Sequence, residues 1–408
     1  MAHKIKYKYH ITMQSEQKVS IYVHFPFCKS RCSYCDFNTY AGCDDLIPEY
    51  IQALLMEIQV TSGLLGDIDP VHTLYFGGGT PSIIPQSFLE CAIEGISSNF
   101  CIDPGSENTI ELNPTPLNQK YLSALRDMGF NRVSIGMQSA HSSELAVLGR
   151  RHRHKDLETA FKFARAAGFS NINLDLIYGF PTQTLESFAG SLQSALKLEP
   201  EHLSLYGLGL HEGTKLYGQI QSGVLPTPDD DLAADMYQYA SDVLRDEGFQ
   251  QYEISNWARA ERYYSRHNMQ YWHNGNYIGF GAGAHSLYKS KRWENVKSIQ
   301  KYIHRAKATS NYPPFASTEH ELMEMDEIQE TMIMGLRLTH EGINLQSFNE
   351  RFGKSIYAIY KKEINELISK DLIEICGKDG EKKLRLTEKA RILGNQVFEK
   401  FVIFEVNP

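Results

Sequence analysis

Short runs of apolar and β-branched residues alternate with longer helical segments along the first 250 residues of the chain. Such runs predict strands, and segments with helical periodicity predict amphipathic helices. The predicted strands cover residues 21–24, 72–76, 109–112, 132–137, 171–177 and 202–206. The predicted helices cover residues 48–61, 86–98, 118–128, 155–167, 185–198 and 229–247. Glycines that are typical of helix ends follow several of them, namely Gly63, Gly129, Gly168 and Gly248.

This alternation of strands and helices is typical of parallel βαβ units. Six units are fewer than the eight that close a complete (β/α)8 barrel. The pattern therefore predicts an α/β fold with a partial (β/α)6 barrel over residues 20–250, preceded by an N-terminal arm over residues 1–19. In barrels of this kind, functional side chains gather at the carboxyl ends of the strands.

The pattern changes twice after the predicted barrel. Residues 251–315 are rich in Tyr, Trp, Asn, His and Gly, lack a clear helical period, and are predicted to form a connecting segment. Residues 316–408 return to helical patterns at 319–338, 345–352, 356–370 and 388–401, with Thr387 as the expected N-cap of the last helix. The pair Asp379-Gly380 is a hairpin signal between strands at 372–375 and 383–386. This combination predicts a C-terminal winged-helix-like α+β module.

Composition and charge narrow the classes of function. The chain of 408 residues is 42% hydrophobic and 22% charged, which is ordinary for a globular protein in water. A formal net charge of −8 disfavours a general binder of nucleic-acid backbones. From Glu319 onward there are 13 basic and 17 acidic residues, so a docking or lid role is favoured over DNA binding. With no apolar run near the ~20 residues of a membrane span and no signal core, we expect a cytoplasmic protein without a transmembrane segment.

A cysteine loop directly follows the first predicted strand. Cys28, Cys32 and Cys35 stand in a C-x3-C-x2-C spacing, and seven cysteines in a chain without an export signal argue against a disulfide framework. Thiolates hold iron–sulfur clusters, and three ligands on a four-iron cubane leave one iron open to a small molecule. A tetrahedral zinc site with His24 as the fourth ligand is the alternative. Cys43 lies close enough to the loop to keep a cluster role open.

Glycines and polar residues mark the ends of the other predicted strands. The glycine run after the second strand lets backbone groups approach a ligand closely. The alternative is that these glycines only form a tight turn. A carboxylate inside the apolar run around Asp175 requires a partner. Together these positions predict a ring of hydrogen-bonding groups at the barrel mouth, suited to ribose hydroxyls, a sulfonium and an adenine. They are Gly78, Gly79, Thr80, Glu111, Gln138, Arg150 and Asp175.

The order of the motifs resembles the radical S-adenosylmethionine (SAM) superfamily, and within it the coproporphyrinogen III dehydrogenase subfamily. The motifs are the cysteine loop, GGGTP, ELNP, GMQS, LGRRH, LDLIYGFP and HLSLYGL, and the likeness covers about residues 20–290 and the C-terminal module. The resemblance implies a [4Fe-4S] cluster on Cys28, Cys32 and Cys35, with SAM on the fourth iron. It also implies SAM contacts at Tyr22, Tyr34, Gly78, Gly79, Thr80, Glu111, Gln138, Arg150 and Asp175, with Gly209 as a weaker match.

Two functions within this subfamily stay open from the sequence. The dehydrogenase decarboxylates propionates of coproporphyrinogen III, and its loop usually has a further cysteine where this chain has Phe37. The run CSYCDFNTY and the HNMQYW motif at 267–272 instead resemble a heme-chaperone branch. That branch implies heme as ligand and apo-hemoproteins as acceptors. An electron donor such as a flavodoxin or ferredoxin, and a homodimer, are further expected partners.

Two histidines are candidates for the heme ligand. His267 is the ligand that the HNMQYW resemblance implies, since imidazole is a common axial ligand of heme iron. Tyr271 and Trp272 would offer flat apolar surface to a porphyrin. A packed, hydrogen-bonded histidine is the alternative for His267, and His285, in a second glycine-rich run, is the rival ligand. Nucleic-acid modification through the C-terminal module is a third class of function, which the acidity of that module disfavours.

Overall fold

The structure of the protein is a computed structural model that describes residues 18–115, 117–307, 315–378 and 380–402. Residues 1–17 of the predicted N-terminal arm and Asp379 of the predicted hairpin signal lie outside the described residues.

Six parallel strands form the centre of the main sheet and confirm the predicted partial barrel. Each strand pairs with the next one along the chain, and the linear strand order of the described sheet leaves the barrel open. The strands are β1 (Val19–Phe25), β2 (Val71–Gly78), β3 (Ile102–Leu112), β4 (Arg132–Gln138), β5 (Ile172–Tyr178) and β6 (His202–Gly207).

Helices connect these strands and cover the outer face of the sheet. They are α1 (Ile47–Leu65), α2 (Gln86–Asn99), α3 (Gln119–Asp127), α4 (Ser142–Val147), α5 (His154–Ala166), α6 (Leu185–Leu196), α7 (Lys215–Gln221) and α8 (Asp230–Asp246). Apolar side chains such as Ile21, Val23 and Phe76 pack in the core that the sheet shares with them. The prediction that Gly63 ends the first helix is wrong, because α1 continues to Leu65 and ends at Gly66, whose φ is 66°.

The predicted connecting segment extends the main sheet at both edges. Beside β6 lie β7 (Gln250–Glu253) and β8 (Asn256–Ala258), and β8 pairs with β6 in the antiparallel sense. Beside β1 lies β9 (Tyr277–Phe280), which is parallel to it, followed by three antiparallel strands. These are β10 (His285–Tyr288), β11 (Lys291–Asn295) and β12 (Ala316–Glu321). The segment also holds helices α9 (Arg266–Trp272) and α10 (Ile299–Ala306).

The C-terminal module has the predicted winged-helix-like composition. Its helices are α11 (Glu324–Gly335), α12 (Leu345–Phe352), α13 (Ile356–Ser369) and α14 (Gly394–Phe398). Its sheet contains β13 (Ile343–Asn344), β14 (Ile373–Cys376) and β15 (Lys383–Leu386), with β15 in the middle. These elements enclose a second hydrophobic cluster, separate from that of the barrel.

Two predicted helices of this module differ in the structure. The helix predicted over 319–338 starts late, because residues Ala316–Glu321 form a strand whose backbone pairs with Lys291–Asn295 of the main sheet. The helix predicted over 388–401 is broken into α14 and two flanking 3-10 turns. Thr387 stands at the predicted N-cap position, but of a 3-10 turn, and its hydroxyl makes no capping bond and donates instead to the carbonyl of Asp371 at 2.8 Å. The first difference comes from strand pairing across the sheet, which local periodicity does not report.

Helix α9 lies between the barrel and the C-terminal module. The backbone N–H groups of Arg266 and His267 donate to the carboxylate of Glu107 on β3. On its other side, the guanidinium of Arg337 lies 4.5 Å from the ring centroid of Trp272. The module therefore docks on the connecting segment. Among the described residues, every helix is too short or too polar to span a lipid bilayer.

Candidate functional site

A cavity of about 350 Å³ lies at the carboxyl ends of the barrel strands. Its size is within the range of small-molecule sites in proteins. Twelve residues singled out from the sequence line it together: Cys28, Cys32, Tyr34, Cys35, Gly78, Gly79, Thr80, Glu111, Gln138, Arg150, Asp175 and Gly209. Parallel strands bring them together, because the ends of neighbouring strands meet at one edge of a sheet.

The three cysteines form one wall of this cavity. Cys28 follows β1 closely, and the hydroxyl of Thr80 donates to its sulfur at 3.5 Å. Burial raises the pKa of the Cys28 thiol to about 11, and the neighbouring thiols of Cys35 and Cys32 add to the effect. A thiolate at this position therefore requires a positive partner such as iron. All seven cysteines are free of disulfides, and Cys28, Cys32 and Cys35 line one cavity, which is the number of thiolates that a four-iron cluster takes when a small molecule binds its fourth iron.

His24 is not positioned to serve as a zinc ligand beside these cysteines. Its Nε2 donates to the carbonyl of Asn38 at 2.9 Å, and its Nδ1 lies 2.9 Å from the hydroxyl of Tyr22. Burial lowers the pKa of this imidazole to about 4, so the ring is neutral and its Nδ1 accepts the proton of Tyr22. Both nitrogens are engaged, which removes the fourth ligand of the zinc alternative.

The glycine run after β2 forms a close backbone floor under the cavity. Gly78 has φ of +110°, and a Cβ on it would lie 2.5 Å from the ring of His24. A Cβ on Gly79 would lie 2.6 Å from the carbonyl oxygen of Phe27 and 3.0 Å from the sulfur of Cys28. The floor therefore accepts only glycine at both positions and holds the cysteine loop against β2.

Two carboxylates occupy the barrel interior beneath the cavity. Glu111 accepts from the hydroxyl of Tyr75 at 2.8 Å and from the N–H of Gly78 at 3.2 Å. Burial raises the pKa of Glu111 to about 7 in spite of these hydrogen bonds. Asp175 accepts from the hydroxyl of Ser134 at 3.0 Å and from the amide of Asn173 at 2.7 Å, and burial raises its pKa as well. These carboxylates suit a cationic ligand.

Arg150 spans the cavity from the cysteine loop to β3. Its Nη2 donates to the hydroxyl of Tyr34 at 3.1 Å, and its Nη1 donates to Oδ1 of Asn113 at 2.7 Å. Space for it comes from Gly136, where a Cβ would lie 3.2 Å from Nη2 of Arg150. Gln138 adopts a left-handed φ of 65° at the end of β4, where its side chain reaches the same cavity.

Sequence reasoning missed several residues of this cavity. Tyr75 holds Glu111, Asn113 links Arg150 to Thr80 by donating to its hydroxyl at 3.1 Å, and Tyr206 lines the wall at the end of β6. Tyr75 lies two residues before Gly77 in β2, so strand alternation was a signal for the face that it occupies. Asn113 follows Glu111 by two residues, so strand alternation also predicts that the two side chains lie on the same face.

Two predicted site residues lie elsewhere. Tyr22 is absent from the lining of this cavity, and its ring lies beside the stacked rings of Tyr75 and His267, with centroid distances of 6.1 and 6.3 Å. His267 is only 1% exposed and stacks on Tyr75. Its Nδ1 lies 2.8 Å from the hydroxyl of Thr73, and its Nε2 lies 2.9 Å from the hydroxyl of Tyr271.

These contacts give His267 the packed, hydrogen-bonded geometry that was the alternative interpretation of its sequence. Thr73 donates its proton to Ser20, so it accepts from Nδ1 of His267 and Nε2 accepts from Tyr271. One face of the Trp272 ring is covered by the guanidinium of Arg337, so that face is not open to a porphyrin.

Known protein families match two parts of the chain, and relatives match nearly all of it. The sequence profile of the radical SAM superfamily matches residues 22–195, and that of the HemN C-terminal domain matches residues 322–393. The heme chaperone HemW of Bacillus subtilis is 37% identical over 386 residues, which cover 94% of this chain and 99% of that protein. The mitochondrial radical S-adenosyl methionine domain-containing protein 1 of Mus musculus is 34% identical, over 87% of this chain and 82% of that protein.

A solved structure shares the fold over nearly the whole chain. The coproporphyrinogen III oxidase HemN from Escherichia coli, described as a radical SAM enzyme, superposes with a TM-score of 0.81 and 24% identity. The superposition covers 95% of this chain and 90% of that one.

The open barrel and its cysteine-lined cavity define a radical SAM protein, a class whose cofactors are a [4Fe-4S] cluster and SAM. Within that class, the chain belongs to the HemW family. The residues present fit both cofactors, because three thiols and a glycine floor share one cavity with buried carboxylates.

Proposed function

We propose that this protein is a heme chaperone, which binds heme and transfers it to apo-hemoproteins. The observation that carries the proposal is the 37% identity to a protein named heme chaperone HemW over 99% of the length of that protein. Several further relatives with the same name are 33 to 38% identical. Phe37 supports it, since this residue stands where the dehydrogenase subfamily has a further cysteine.

The proposed cofactor site is the cavity at the strand ends. Cys28, Cys32 and Cys35 would hold the cluster, and the backbone of Gly78 and Gly79 would receive SAM beside it. The other proposed SAM contacts are Tyr34, Thr80, Glu111, Gln138, Arg150 and Asp175. Within this cavity, the carboxylates of Glu111 and Asp175 offer acceptors to the amino group and the hydroxyls of SAM. Bound to the cluster, SAM supplies one-electron chemistry in this class of proteins.

The second candidate function is an oxygen-independent coproporphyrinogen III dehydrogenase. It is supported by the fold that this chain shares with HemN. An identity of 24% supports a shared fold but does not support a shared activity. We favour the chaperone because the curated relatives with high coverage carry that name. An electron donor such as a flavodoxin or ferredoxin, a homodimer and a cytoplasmic location complete the proposal.

The deciding experiment compares the two functions in one anaerobic preparation with a reconstituted cluster. Hemin titration should produce a Soret band of a protein-bound heme, and the loaded protein should pass its heme to apomyoglobin. The same protein with SAM, a reductant and coproporphyrinogen III should release no carbon dioxide. Turnover of coproporphyrinogen, or the failure of hemin to bind, would contradict the chaperone function.

A further inference from the structure

A second cavity, of about 560 Å³, lies on the other side of the cysteine loop, between that loop and the edge strands β9 and β10. Arg31, Asp36, Phe37 and Thr39 line both this cavity and the one that holds the cysteines. A ligand in the second cavity would therefore touch the loop that carries the cluster ligands.

The lining of the second cavity combines aromatic rings with cationic groups. Tyr22, Tyr271 and Tyr277 form part of its wall, and Phe37 is 64% exposed at its border with the first cavity. An exposed phenylalanine in a cavity wall is an apolar surface that a ligand can cover. Arg31 and Lys297 lie in the same wall and can pair with carboxylates. A flat apolar ring that carries carboxylates matches this combination, and heme has that chemistry.

His285 lies in this cavity at the start of β10. Its side chain is 56% exposed, and its Nε2 lies 3.5 Å from the carboxylate of Glu294 on the neighbouring strand β11. That carboxylate oxygen lies closer to Nζ of Lys297, at 3.1 Å, and makes no hydrogen bond to the imidazole, so the half-exposed ring can turn away from it. Nε2 is the ring nitrogen that can reach heme iron, because the Cβ next to Nδ1 would meet the porphyrin.

His267 is separated from this cavity by Tyr271. The hydroxyl of Tyr271 occupies the lone pair on Nε2 of His267, and its own ring forms part of the cavity wall. For His267 to bind iron, this tyrosine must leave, and a buried polar network of Thr73 and Ser20 must reorganise. Breaking such a network costs free energy. His285 requires only that its exposed side chain turn away from Glu294.

We propose that heme binds in the second cavity with His285 as its axial iron ligand, with His267 held behind the wall as a positioning residue for Tyr271. The proposal rests on the proposed heme-chaperone function and names its binding site. Because the two cavities share the cysteine loop, bound heme would lie beside the segment that holds the cluster, with the ring of Phe37 between them.

The test is an anaerobic hemin titration of the full chain with its cluster, followed by absorption spectroscopy. We expect His285→Ala to weaken hemin binding at least tenfold and to remove the spectrum of an imidazole-ligated heme. Added imidazole should restore that spectrum, because it fills the space left by the side chain. His273→Ala is the matched control, since His273 is half exposed and pairs with Glu341 outside both cavities.

Two results separate the ways in which the proposal can fail. If His285→Ala binds hemin with the affinity and spectrum of the natural protein, the proposed site is wrong. If the natural protein itself binds no hemin, the proposed chaperone function is contradicted, and the proposed heme site is contradicted with it. SAM affinity and iron content, measured in the same samples, show whether the variant keeps its fold. His285→Gln, which retains size and polarity, is the second variant and should show the same loss.

Discussion

Gly78 lies directly against the imidazole of His24, so that a Cβ on Gly78 would lie 2.5 Å from both Cε1 and Nδ1 of the ring. The two residues come from neighbouring parallel strands, in which Phe25 is paired with Gly78. The imidazole is itself fixed by Tyr22 and by the carbonyl of Asn38. The position of this ring therefore requires glycine at residue 78. The backbone N–H of Gly78 donates to the carboxylate of Glu111.

We expect Gly78→Ala to reduce both stability and SAM affinity, because the new methyl group must displace the fixed ring of His24. The matched control is Gly168→Ala, since Gly168 also has a positive φ of +88°, but a methyl group there would meet no neighbouring atom within 4 Å. That control should lose about 1–2 kcal/mol from backbone strain alone. Urea unfolding and SAM titration would measure both. Equal losses of stability with unchanged SAM binding would contradict the steric argument.

Replacing any one of Cys28, Cys32 and Cys35 by alanine should remove most of the iron and labile sulfide. A cubane that loses one of three protein thiolates has too few ligands to stay bound. The control is Cys43→Ala, because Cys43 is a free thiol that donates weakly to the carbonyl of Ala41 at 3.8 Å. Iron and sulfide analysis after anaerobic reconstitution distinguishes them. A full iron content in Cys32→Ala would refute the assignment of the cluster loop.

Glu111→Gln should raise the dissociation constant of SAM about 10- to 100-fold, the equivalent of one charge-assisted hydrogen bond of roughly 1.5–3 kcal/mol. The amide keeps the size of the side chain but removes the negative charge beneath the glycine floor. Glu144→Gln is the control, because Glu144 is also buried but bonds to Ser139 outside the cavity. Calorimetric titration with SAM gives both constants. A similar weakening in the two variants would show a general structural effect instead of a ligand contact.

Glu57 should make the stability of the protein depend on pH. This carboxyl on α1 is 2% exposed and accepts from the N–H of Gly281, the amide of Asn295 and the hydroxyl of Tyr302. Burial raises its pKa from 4.5 to about 7. Between these values the folded chain keeps a proton that the unfolded chain releases, so stability falls as pH rises through this window and then levels off.

The fall attributable to Glu57 is on the order of 3 kcal/mol. This contribution is absent in the Glu57→Gln variant. The unfolding free energy of that variant should therefore decline less between pH 4.5 and about pH 7 than that of the natural protein. Glu90→Gln, at an exposed position of α2, should keep the slope of the natural protein. Urea unfolding at several pH values provides the comparison, and parallel slopes for Glu57→Gln and the natural protein would refute the role of Glu57.

Much of the cofactor site followed from local sequence patterns. The cysteine spacing, the glycine run after β2 and the polar residues at the strand ends lie in order along the chain, and parallel strands bring them to one edge. Twelve of these residues line one cavity for that reason. Tyr22 lies outside that lining, because its hydroxyl donates to His24, and its position before the cysteines does not reveal this contact.

The sequence by itself determined the six βα units and the cysteine loop, because periodicity and ligand spacing are local properties that survive without knowledge of distant partners. Only the tertiary structure decided where the segment after residue 250 packs. The strand Tyr277–Phe280 pairs with β1, although the whole of the barrel lies between them in the chain, and that pairing creates the second cavity. It also decided that His267 is buried and His285 exposed, since exposure depends on which distant side chains pack around a residue.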